Sequence, residues 1–289
     1  MEIIDIAVWV ANENDPNRRT YKAAVHIVLA AIASNPEINS QMVMKGGILL
    51  AIRYKSSRYT RDVDFSTRGK FQEFDRDRFL TALEQALVTA SEEMDYGLAC
   101  AIQSMEVRPS NPQASFPTLK LRVGYAYKDD VSAYKRLRAK QSSDVVDIDY
   151  SFNEAMQRID IIQLGDGKTL SAYSFSDLVA EKLRAILQQE VRARYRRQDV
   201  YDIYLLIKSS GGFDPEELST ILKAFLASAG SRELVVGQFS LRKQEIRDRS
   251  MKEYHQLKAE IEGELPDFDT AYDAVRELYE SLPWLTSTS

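Results

Sequence analysis

Hydrophobic and polar residues follow two different periodicities along this chain. Over roughly the first 170 residues, stretches in which apolar residues recur with a helical period are interleaved with short stretches in which apolar and polar residues alternate. The first pattern is typical of amphipathic helices and the second of half-buried strands. Together they predict helices over 17–34, 48–54 and 75–94, and strands over 62–65, 98–107, 118–127 and 145–150.

Beyond about residue 170 only the helical periodicity continues. It predicts helices over 176–190, 198–209, 214–229, 241–262 and 267–281, the first of them capped by Ser176 and Asp177. A mixed part followed by a helical part indicates an α+β fold. We therefore expect a first domain over 1–170 that contains a mixed sheet and a second, helical domain over 171–289.

The composition narrows the kinds of site that the chain can carry. It has 289 residues, of which 44% are hydrophobic and 28% charged, and a formal net charge of −5, which is typical of a globular protein. The single cysteine, Cys100, excludes an intramolecular disulfide, and the two histidines, His26 and His255, argue against a metal centre of histidine and cysteine ligands. Since neither a membrane span nor a signal peptide is recognisable, we expect a cytoplasmic protein without a membrane partner.

Two carboxylates stand out in the predicted strand Asp62-Val63-Asp64-Phe65. Residues two apart on a strand share a face, so Asp62 and Asp64 point to one side. Such paired oxygens suit Mg²⁺, which proteins commonly hold with one or two carboxylates and the phosphates of a substrate. The alternative is a solvated strand edge. The similar pair Asp147 and Asp149 offers a third ligand, for which we select Asp149, because Asp147 fits a surface position equally well.

A glycine pair precedes the carboxylates at Gly46 and Gly47. Glycines let the backbone approach a ligand closely, and the helix predicted to follow them offers free N–H groups to a phosphate. A simple turn between a strand and a helix explains the pair equally well. The order of glycine turn, helix and Asp-x-Asp strand would place a phosphate site next to a metal site.

Charged residues in the helical part suggest a second group of functional side chains. Lys182 falls within the apolar arc of its predicted helix, so it needs an anionic partner or a nucleotide phosphate. Asp199 and Asp202 lie on an otherwise apolar helix. They are either a helix cap and partners for the preceding arginines, or active-site carboxylates that orient Lys182 or act as a base.

Two basic segments are candidates for polyanion binding. One, at 192–197, contains Tyr195 and the four arginines Arg192, Arg194, Arg196 and Arg197, and the other lies at 134–140. Arginine binds phosphate with a planar array of donors, and an aromatic ring stacks on a base. Each segment could also be an ordinary solvated face. We assign the four arginines of the first segment to RNA binding.

Taken in order, these motifs resemble those of the AbiEii/AbiGii toxin family of nucleotidyltransferases. The resemblance covers about residues 45–206. It is carried by Lys45-Gly46-Gly47-Ile48-Leu49-Leu50, by Arg58-Tyr59-Thr60-Arg61-Asp62-Val63-Asp64-Phe65, by Asp147-Ile148-Asp149-Tyr150-Ser151 with Glu154, and by Glu181-Lys182-Leu183-Arg184-Ala185 with Arg196-Arg197-Gln198-Asp199-Val200-Tyr201-Asp202.

The resemblance implies a fold and roles for individual residues. It implies a DNA polymerase β-like nucleotidyltransferase core and a helical domain that completes the active site. Asp62 and Asp64 would bind Mg²⁺ and the triphosphate, Lys182 would contact the nucleotide, and Asp199 would be the carboxylate of the catalytic helix. The residues that would bind nucleotide or phosphate are Lys45, Gly46, Gly47, Arg58, Lys182 and Asp202. Characterised relatives are toxins of toxin–antitoxin or phage-defence systems, and some add nucleotides to tRNA 3′ ends.

The sequence departs from the family pattern at two positions. Ile48 stands where a hydroxyl residue is expected after the glycines, which removes a side-chain donor to phosphate. Gln198 replaces the arginine before Asp199. These changes leave phosphate binding to backbone N–H groups and neighbouring arginines.

The favoured hypothesis is an Mg²⁺-dependent nucleotidyltransferase toxin. It would transfer NMP from an NTP to an RNA acceptor, a tRNA 3′ end, with pyrophosphate as the leaving group, and a separately encoded antitoxin would be its partner. One alternative is a non-catalytic RNA- or nucleotide-binding module on the same fold. Another is nucleotidylation of a protein hydroxyl.

Overall fold

A computed structural model describes residues 2–111 and 113–284 of the chain. The chain divides into two compact units. The first unit comprises 1–53, 61–154 and 159–172, and the second comprises 54–60, 155–158 and 173–289. The helical second part therefore also includes two short segments from the middle of the chain.

The first unit is built on an eight-stranded mixed sheet. Its strands in chain order are β1 (Ile3–Ile4), β2 (Val43–Lys45), β3 (Asp62–Ser66), β4 (Leu98–Arg108), β5 (Thr118–Tyr127), β6 (Val145–Ser151), β7 (Ile159–Leu164) and β8 (Thr169–Tyr173). The spatial order is β1-β7-β8-β2-β3-β6-β5-β4. Strand β3 is antiparallel to β2 and parallel to β6, and β5 is antiparallel to both β4 and β6.

The helices of the first unit begin at well-formed caps. They are α1 (Ile6–Ala11), α2 (Pro16–Ser34), α3 (Pro36–Gln41), α4 (Gly46–Arg53), α5 (Arg76–Glu93) and α6 (Val131–Arg138), with a 3-10 turn at Phe71–Glu73. For α2 the cap is Asp15, whose carboxylate accepts the N–H of Arg18, and Pro16 occupies the first turn. The same type of cap, from Asp75, starts α5.

An aromatic cluster anchors one face of the sheet beneath β6. Tyr150 of β6 is fully buried, with its ring centre 4.5 Å from that of Phe152 and 5.8 Å from that of Phe79 in α5. Phe74 lies 4.8 Å from Phe152. Because a shift of one residue would turn these rings to the opposite face, their burial also determines which face carries the aspartates of β6.

The second unit consists of helices. They are α7 (Phe175–Leu187), α8 (Gln189–Arg192), α9 (Arg197–Ser210), α10 (Pro215–Gly230), α11 (Gln244–Met251) and α12 (Phe268–Ser281), with 3-10 turns at Ser240–Arg242 and Tyr254–Ala259. An apolar core runs through the unit, and its largest fully buried side chains include Phe225, Tyr272 and Tyr279.

The structure corrects two details of the helix predictions. The continuous helix expected over 241–262 is broken into α11 and two 3-10 turns, because Lys252 leaves the helical conformation and Glu253 adopts a left-handed one, with φ of 60°. The cap of α7 is Ser174 and not Ser176, since the Ser174 hydroxyl accepts the N–H of Asp177. Local apolar periodicity continued through both places and did not reveal these changes of backbone direction.

Candidate active site

Strand β3 presents Asp62 and Asp64 on one face of the sheet. Between and after them, Val63 and Phe65 are fully buried in the core on the opposite face. The alternation of the sequence therefore appears in the structure as predicted, with two carboxylates held side by side by a strand that cannot slip without exposing Phe65.

Neighbouring strands extend this pair into two rows of charged side chains. In register with Asp62 lie Asp147 of β6 and then Arg122 of β5. In register with Asp64 lie Asp149 and then Lys120. We call these six residues the charged rows. Lys120 Nζ donates to both carboxylate oxygens of Asp149, at 2.7 and 2.9 Å, and Arg122 Nε donates to Asp147 at 3.2 Å.

The charged rows leave Asp62 in an unfavourable position for a negative charge. Burial raises the pKa of Asp62, and the negative charges of Asp149 and Asp147 raise it further, whereas Lys120 lowers it. Lys120 and Arg122 are hydrogen-bonded to Asp149 and Asp147, the carboxylates of β6. A cation next to Asp62 would relieve the repulsion.

The donor set of β3 fits a magnesium ion that is shared with a substrate. Among the described residues no group of three or more histidine, cysteine, aspartate or glutamate side chains is arranged to hold a metal. Asp149, the predicted third ligand, has both oxygens hydrogen-bonded to Lys120. Two carboxylates without an all-protein cage are the arrangement in which Mg²⁺ takes its remaining oxygens from water and phosphates. Metal binding by Asp62, Asp64 and Asp149 remains a prediction.

The glycine pair lies directly against Asp64. Gly46 has φ of +73°, and a Cβ at this position would be 2.8 Å from Cγ and 2.9 Å from Cβ of Asp64. Only glycine leaves room there for the carboxylate. Lys45 is the cross-strand neighbour of Asp64 and is 7% exposed. Gly47 continues from this turn into α4 and is buried.

The residue after the glycines faces the core. Ile48 is 1% exposed in α4, and its neighbours Leu49 and Leu50 are fully buried. An isoleucine here contributes to packing and leaves phosphate contact to the backbone at the start of the helix. The departure from the family pattern thus has a structural role in the apolar core of the first unit.

The second unit contains a buried network of four charged side chains. Lys182 Nζ donates to Asp199 Oδ1 at 3.0 Å and to Asp202 Oδ2 at 2.7 Å. Arg58, from the segment 54–60, donates Nε to Asp202 Oδ1 at 3.0 Å and Nη2 to Oδ2 at 2.9 Å. Two cations face two anions, and Asp202 is fully buried. The inward-facing lysine therefore has the anionic partners that its position required.

Mutual attraction keeps Lys182 and Asp202 charged. Burial by itself would lower the pKa of Lys182, but Asp202 and Asp199 raise it above its usual range. Burial by itself would raise the pKa of Asp202, but Arg58 and Lys182 hold it below its usual value. Asp199 Oδ2 is buried without a hydrogen bond, and Arg196 Nη1 lies 3.7 Å from it. Among the described residues, it is the one carboxylate oxygen of the network that accepts no hydrogen bond.

The four arginines predicted to bind RNA differ in their ion pairs and in their exposure. Arg197 donates to Glu253 at 2.8 Å and to Glu260 at 3.3 Å, and Arg196 lies beside Asp199. Arg192 and Arg194 are exposed at the turn that follows α8. RNA binding by this segment remains a prediction, and the ion pairs of Arg197 make its guanidinium less available to RNA.

Lys120 and Arg122, the basic members of the charged rows, are not among the site residues predicted from the sequence. A signal was present, because the two residues alternate with the buried Leu119, Leu121 and Val123 of β5. Alternation places them on the polar face of their strand, but it does not show which strand lies alongside. Only the pairing of β5 with β6 brings them to the aspartates.

Comparisons with known proteins identify a family and similar folds. A family model described as "Nucleotidyl transferase AbiEii toxin, Type IV TA system" matches residues 27–274. The crystal structure of JHP933 from Helicobacter pylori superposes with a TM-score of 0.54 at 16% identity and covers 93% of each chain. A candidate nucleotidyltransferase of H. pylori superposes with a TM-score of 0.50 at 13% identity, over 93% of this chain and 95% of that one. At these identities the likeness concerns the fold.

Two negative findings accompany these similarities of the chain. No curated protein matches it significantly. Among the described residues, no helix combines the length and apolarity that a membrane span requires. The predicted α+β class, with a mixed sheet and a helical C-terminal region, is confirmed by the fold and by its structural neighbours.

Proposed function

The chain belongs to the AbiEii family of nucleotidyl transferase toxins of type IV toxin–antitoxin systems, and from this premise we propose that it transfers NMP from an NTP to the 3′ end of an RNA, with tRNA as the acceptor. One observation carries the proposal. Asp62 and Asp64 share a face of β3, and the backbone turn at Gly46 lies directly beneath the Asp64 carboxylate. A phosphate cradle and a carboxylate pair are thereby adjacent.

The proposed reaction replaces a phosphoanhydride bond of the NTP with a phosphodiester bond to the acceptor. The oxygen of the acceptor 3′-hydroxyl forms a bond to the α-phosphorus of the NTP. The bond between the α-phosphorus and the oxygen that bridges to the β-phosphate breaks, pyrophosphate leaves, and the hydroxyl proton is released to water. Asp62 and Asp64 would hold Mg²⁺, which supplies neutralisation of the phosphate charge. The free N–H groups at the start of α4 would hold phosphate oxygens.

Residues of the first unit other than the carboxylates have supporting roles in this proposal. Lys45 is the cross-strand neighbour of Asp64, so its positive charge favours the binding of the triphosphate. Gly46 and Gly47 provide the backbone turn. Lys120 holds Asp149 by two hydrogen bonds, and we propose that Asp149 supports the metal site by its charge and joins the metal when that pair opens.

Residues of the second unit retain the roles implied by the family motif as proposals. Lys182 would contact the nucleotide and Asp199 would be the carboxylate of the catalytic helix, with its unsaturated Oδ2 as the available acceptor. Arg58 and Asp202 bind each other by two hydrogen bonds. We therefore propose that these two residues assist nucleotide binding by keeping Lys182 in position.

The family also implies partners. A type IV toxin–antitoxin system implies an antitoxin and a nucleotide substrate. The tRNA acceptor, the requirement for Mg²⁺ and a role in phage defence are the parts of the proposal that need experiments of their own. The reaction requires a compartment that contains NTPs and tRNA together, so we propose the cytoplasm.

A transfer assay with two matched variants tests the proposal. Purified protein is incubated with each α-³²P-labelled NTP, Mg²⁺ and total tRNA, and the label on RNA is quantified. Asp64→Asn keeps the shape of the side chain but removes the charge, and we expect it to lower transfer at least about a hundredfold. Asp147→Asn makes the same change on β6, at an ion-paired residue in register with Asp62, and is expected to retain most of the transfer.

The outcomes separate the competing hypotheses. Transfer to RNA that survives both Asp64→Asn and EDTA would refute the assigned carboxylate chemistry. Label found only on protein would select nucleotidylation of a protein hydroxyl. RNA binding that is unchanged in EDTA, with no transfer from any NTP, would favour the non-catalytic module.

A further inference from the structure

Helix α6 exposes positive charges that form no ion pair with an acidic side chain in the described part of the chain. Lys135 and Arg138 are exposed, and neither forms an ion pair with any residue that the structure describes. They share a face with Val131, which is 79% exposed, since positions i, i+4 and i+7 align on a helix. Leu137 points to the core and is 2% exposed. The helix therefore turns a basic stripe to solvent although the whole chain has a net charge of −5.

A close contact at Gly124 shows on which face of the sheet the end of α6 lies. A Cβ at Gly124 would be 2.7 Å from the side chain of Gln103 and 2.8 Å from Ser142. Gln103 in turn donates to the carbonyl of Leu137 in α6 and accepts the N–H of Ser142. These hydrogen bonds hold the C-terminal end of α6 and the chain that follows it against one face of β5, the face to which position 124 points.

That side is the one that carries the charged rows. Positions 120, 122 and 124 of β5 share a face by strand alternation, so Gly124 lies on the face of Lys120 and Arg122. Gly124 is two residues from Arg122 along β5, about 7 Å, and Arg122 is two strands from Asp62, about 10 Å. The attachment of α6 and the carboxylate pair of β3 thus lie on one face, close together.

Arg122 links the stripe to the carboxylates. Its Nε donates to Asp147, while its two Nη groups make no hydrogen bond with a described residue, and its side chain is 56% exposed. Arg122 and helix α6 with its exposed cations therefore lie on the same face of the sheet as Asp62. We call Arg122, Lys135 and Arg138 the α6 platform.

We propose that the α6 platform binds the phosphate backbone of the acceptor RNA and guides its 3′ end to the carboxylates of β3. The inference rests on the proposed function and assigns it an acceptor surface, distinct from the arginines at 192–197. A polyanion fits better than a single phosphate, because the three cations are spread over a strand and a helix and do not converge on one point. Binding to backbone phosphates also predicts little dependence on RNA sequence.

Binding measurements in a background that does not catalyse test the platform. In the Asp64→Asn protein, the affinity for fluorescent total tRNA is measured by anisotropy over a series of KCl concentrations. The double variant Lys135→Ala/Arg138→Ala should bind at least roughly tenfold more weakly at 0.1 M salt, and the slope of log K against log salt should fall by about 1.5. The matched control, Lys223→Ala/Lys258→Ala, removes two exposed lysines of the second unit and should change neither value.

A kinetic readout separates binding of the acceptor from loss of folding. In the wild-type background the double variant should raise KM for tRNA roughly tenfold and leave kcat and the KM for NTP unchanged. Its circular dichroism and Tm should match those of the parent. The exchange variant Lys135→Arg/Arg138→Lys keeps both positive charges, so it should bind tRNA as tightly as the parent.

Failure of this inference is distinguishable from failure of the proposed function. Equal tRNA affinity of the double variant and its parent would overturn the platform and leave the transfer reaction intact. Weaker binding of polyglutamate alone, with tRNA binding retained, would overturn it in favour of an acidic protein partner. Absence of transfer by the wild-type protein, with tRNA binding still lost in the double variant, would support the platform and refute the transfer reaction.

Discussion

Asp64 occupies the space that a side chain at Gly46 would need. Gly46 adopts φ of +73°, and a Cβ there would be 2.8 Å from Asp64 Cγ. The backbone that begins α4 and the carboxylate on β3 are therefore fitted to each other, and the position of one sets the position of the other. This relationship is the basis of the first prediction.

Gly46→Ala should abolish activity by displacing Asp64. The left-handed backbone costs about 1–2 kcal/mol for a residue with a Cβ. The clash also moves the carboxylate, and displacement of a catalytic group by about 1 Å lowers rates roughly a hundredfold. Gly211→Ala is the matched control, since Gly211 has φ of +70° and nothing within 4 Å of the added Cβ. Gly211→Ala should lose only the stability that the left-handed backbone costs, and Gly46→Ala should lose more because of the clash with Asp64. Only Gly46→Ala should lose transfer of label to tRNA. Equal transfer by the two would contradict the assignment.

Removal of Asp202 should destabilise the protein strongly. Asp202 is the anion shared by Lys182 and Arg58, and its loss removes both hydrogen bonds of Arg58 to this carboxylate and one of the two hydrogen bonds of Lys182. Breaking a buried pair in this way costs about 3–5 kcal/mol. Asp199→Ala should cost less, because Asp199 has one oxygen without a hydrogen bond. Urea denaturation followed by circular dichroism measures both, and a smaller loss for Asp202→Ala than for Asp199→Ala would refute the central role of Asp202.

Ile48→Thr should lower stability without improving nucleotide binding. The substitution restores the hydroxyl that the family pattern expects, but Ile48 is 1% exposed, so the new hydroxyl would be buried in the core. Burial of an unpaired hydroxyl costs about 1–3 kcal/mol, which corresponds to a Tm lower by several degrees. Ile161→Thr, at a position that is 51% exposed, should leave Tm nearly unchanged. A tighter NTP affinity in Ile48→Thr, measured by calorimetry, would show that the side chain reaches the phosphate.

Stability should decline in mild acid because of His26. Burial lowers the pKa of His26 below its ordinary value of 6.5, and Lys168 lowers it further, whereas Asp166 and Asp5 raise it. The unfolded chain then binds the proton more readily than the folded protein, so stability is complete above about pH 6.5 and decreases as the pH falls towards the pKa of the folded state. Tm measured between pH 5 and 8 should show a shallower acid decline in His26→Gln than in the parent. His255→Gln, at an exposed position, should keep the decline of the parent.

Local patterns determined the individual elements of the site. The alternation in 62–65 and 145–150 predicted strands whose aspartates share a face, and β3 and β6 have this arrangement. Apolar periodicity also placed Lys182 inside its helix, and the need for an anionic partner followed from the cost of burying a charge. Strands β1, β7 and β8 were not predicted, since β1 has two residues and β8 five, and two adjacent isoleucines interrupt the alternation of apolar and polar residues in β7.

The partners of these residues could not be obtained from periodicity. Lys120 binds Asp149, and Arg58 binds Asp202, across long stretches of chain. Nothing in the spacing of either residue identifies its partner, because any basic residue on a polar face is compatible with the pattern. For the same reason, periodicity does not distinguish a solvated face from a binding surface at 134–140. The close contact at Gly124 shows on which face of the sheet α6 is attached.

The sequence by itself determined which residues face the core and which face solvent, because the period of apolar positions is a local property of helices and strands. It also determined the family, through motifs that are short and contiguous. The tertiary structure alone decided that β3 lies between β2 and β6, that the charged rows form, and that the end of α6 lies on their face of the sheet. Strand order and register arise from hydrogen bonds and packing between distant segments, and no local pattern specifies which segments meet.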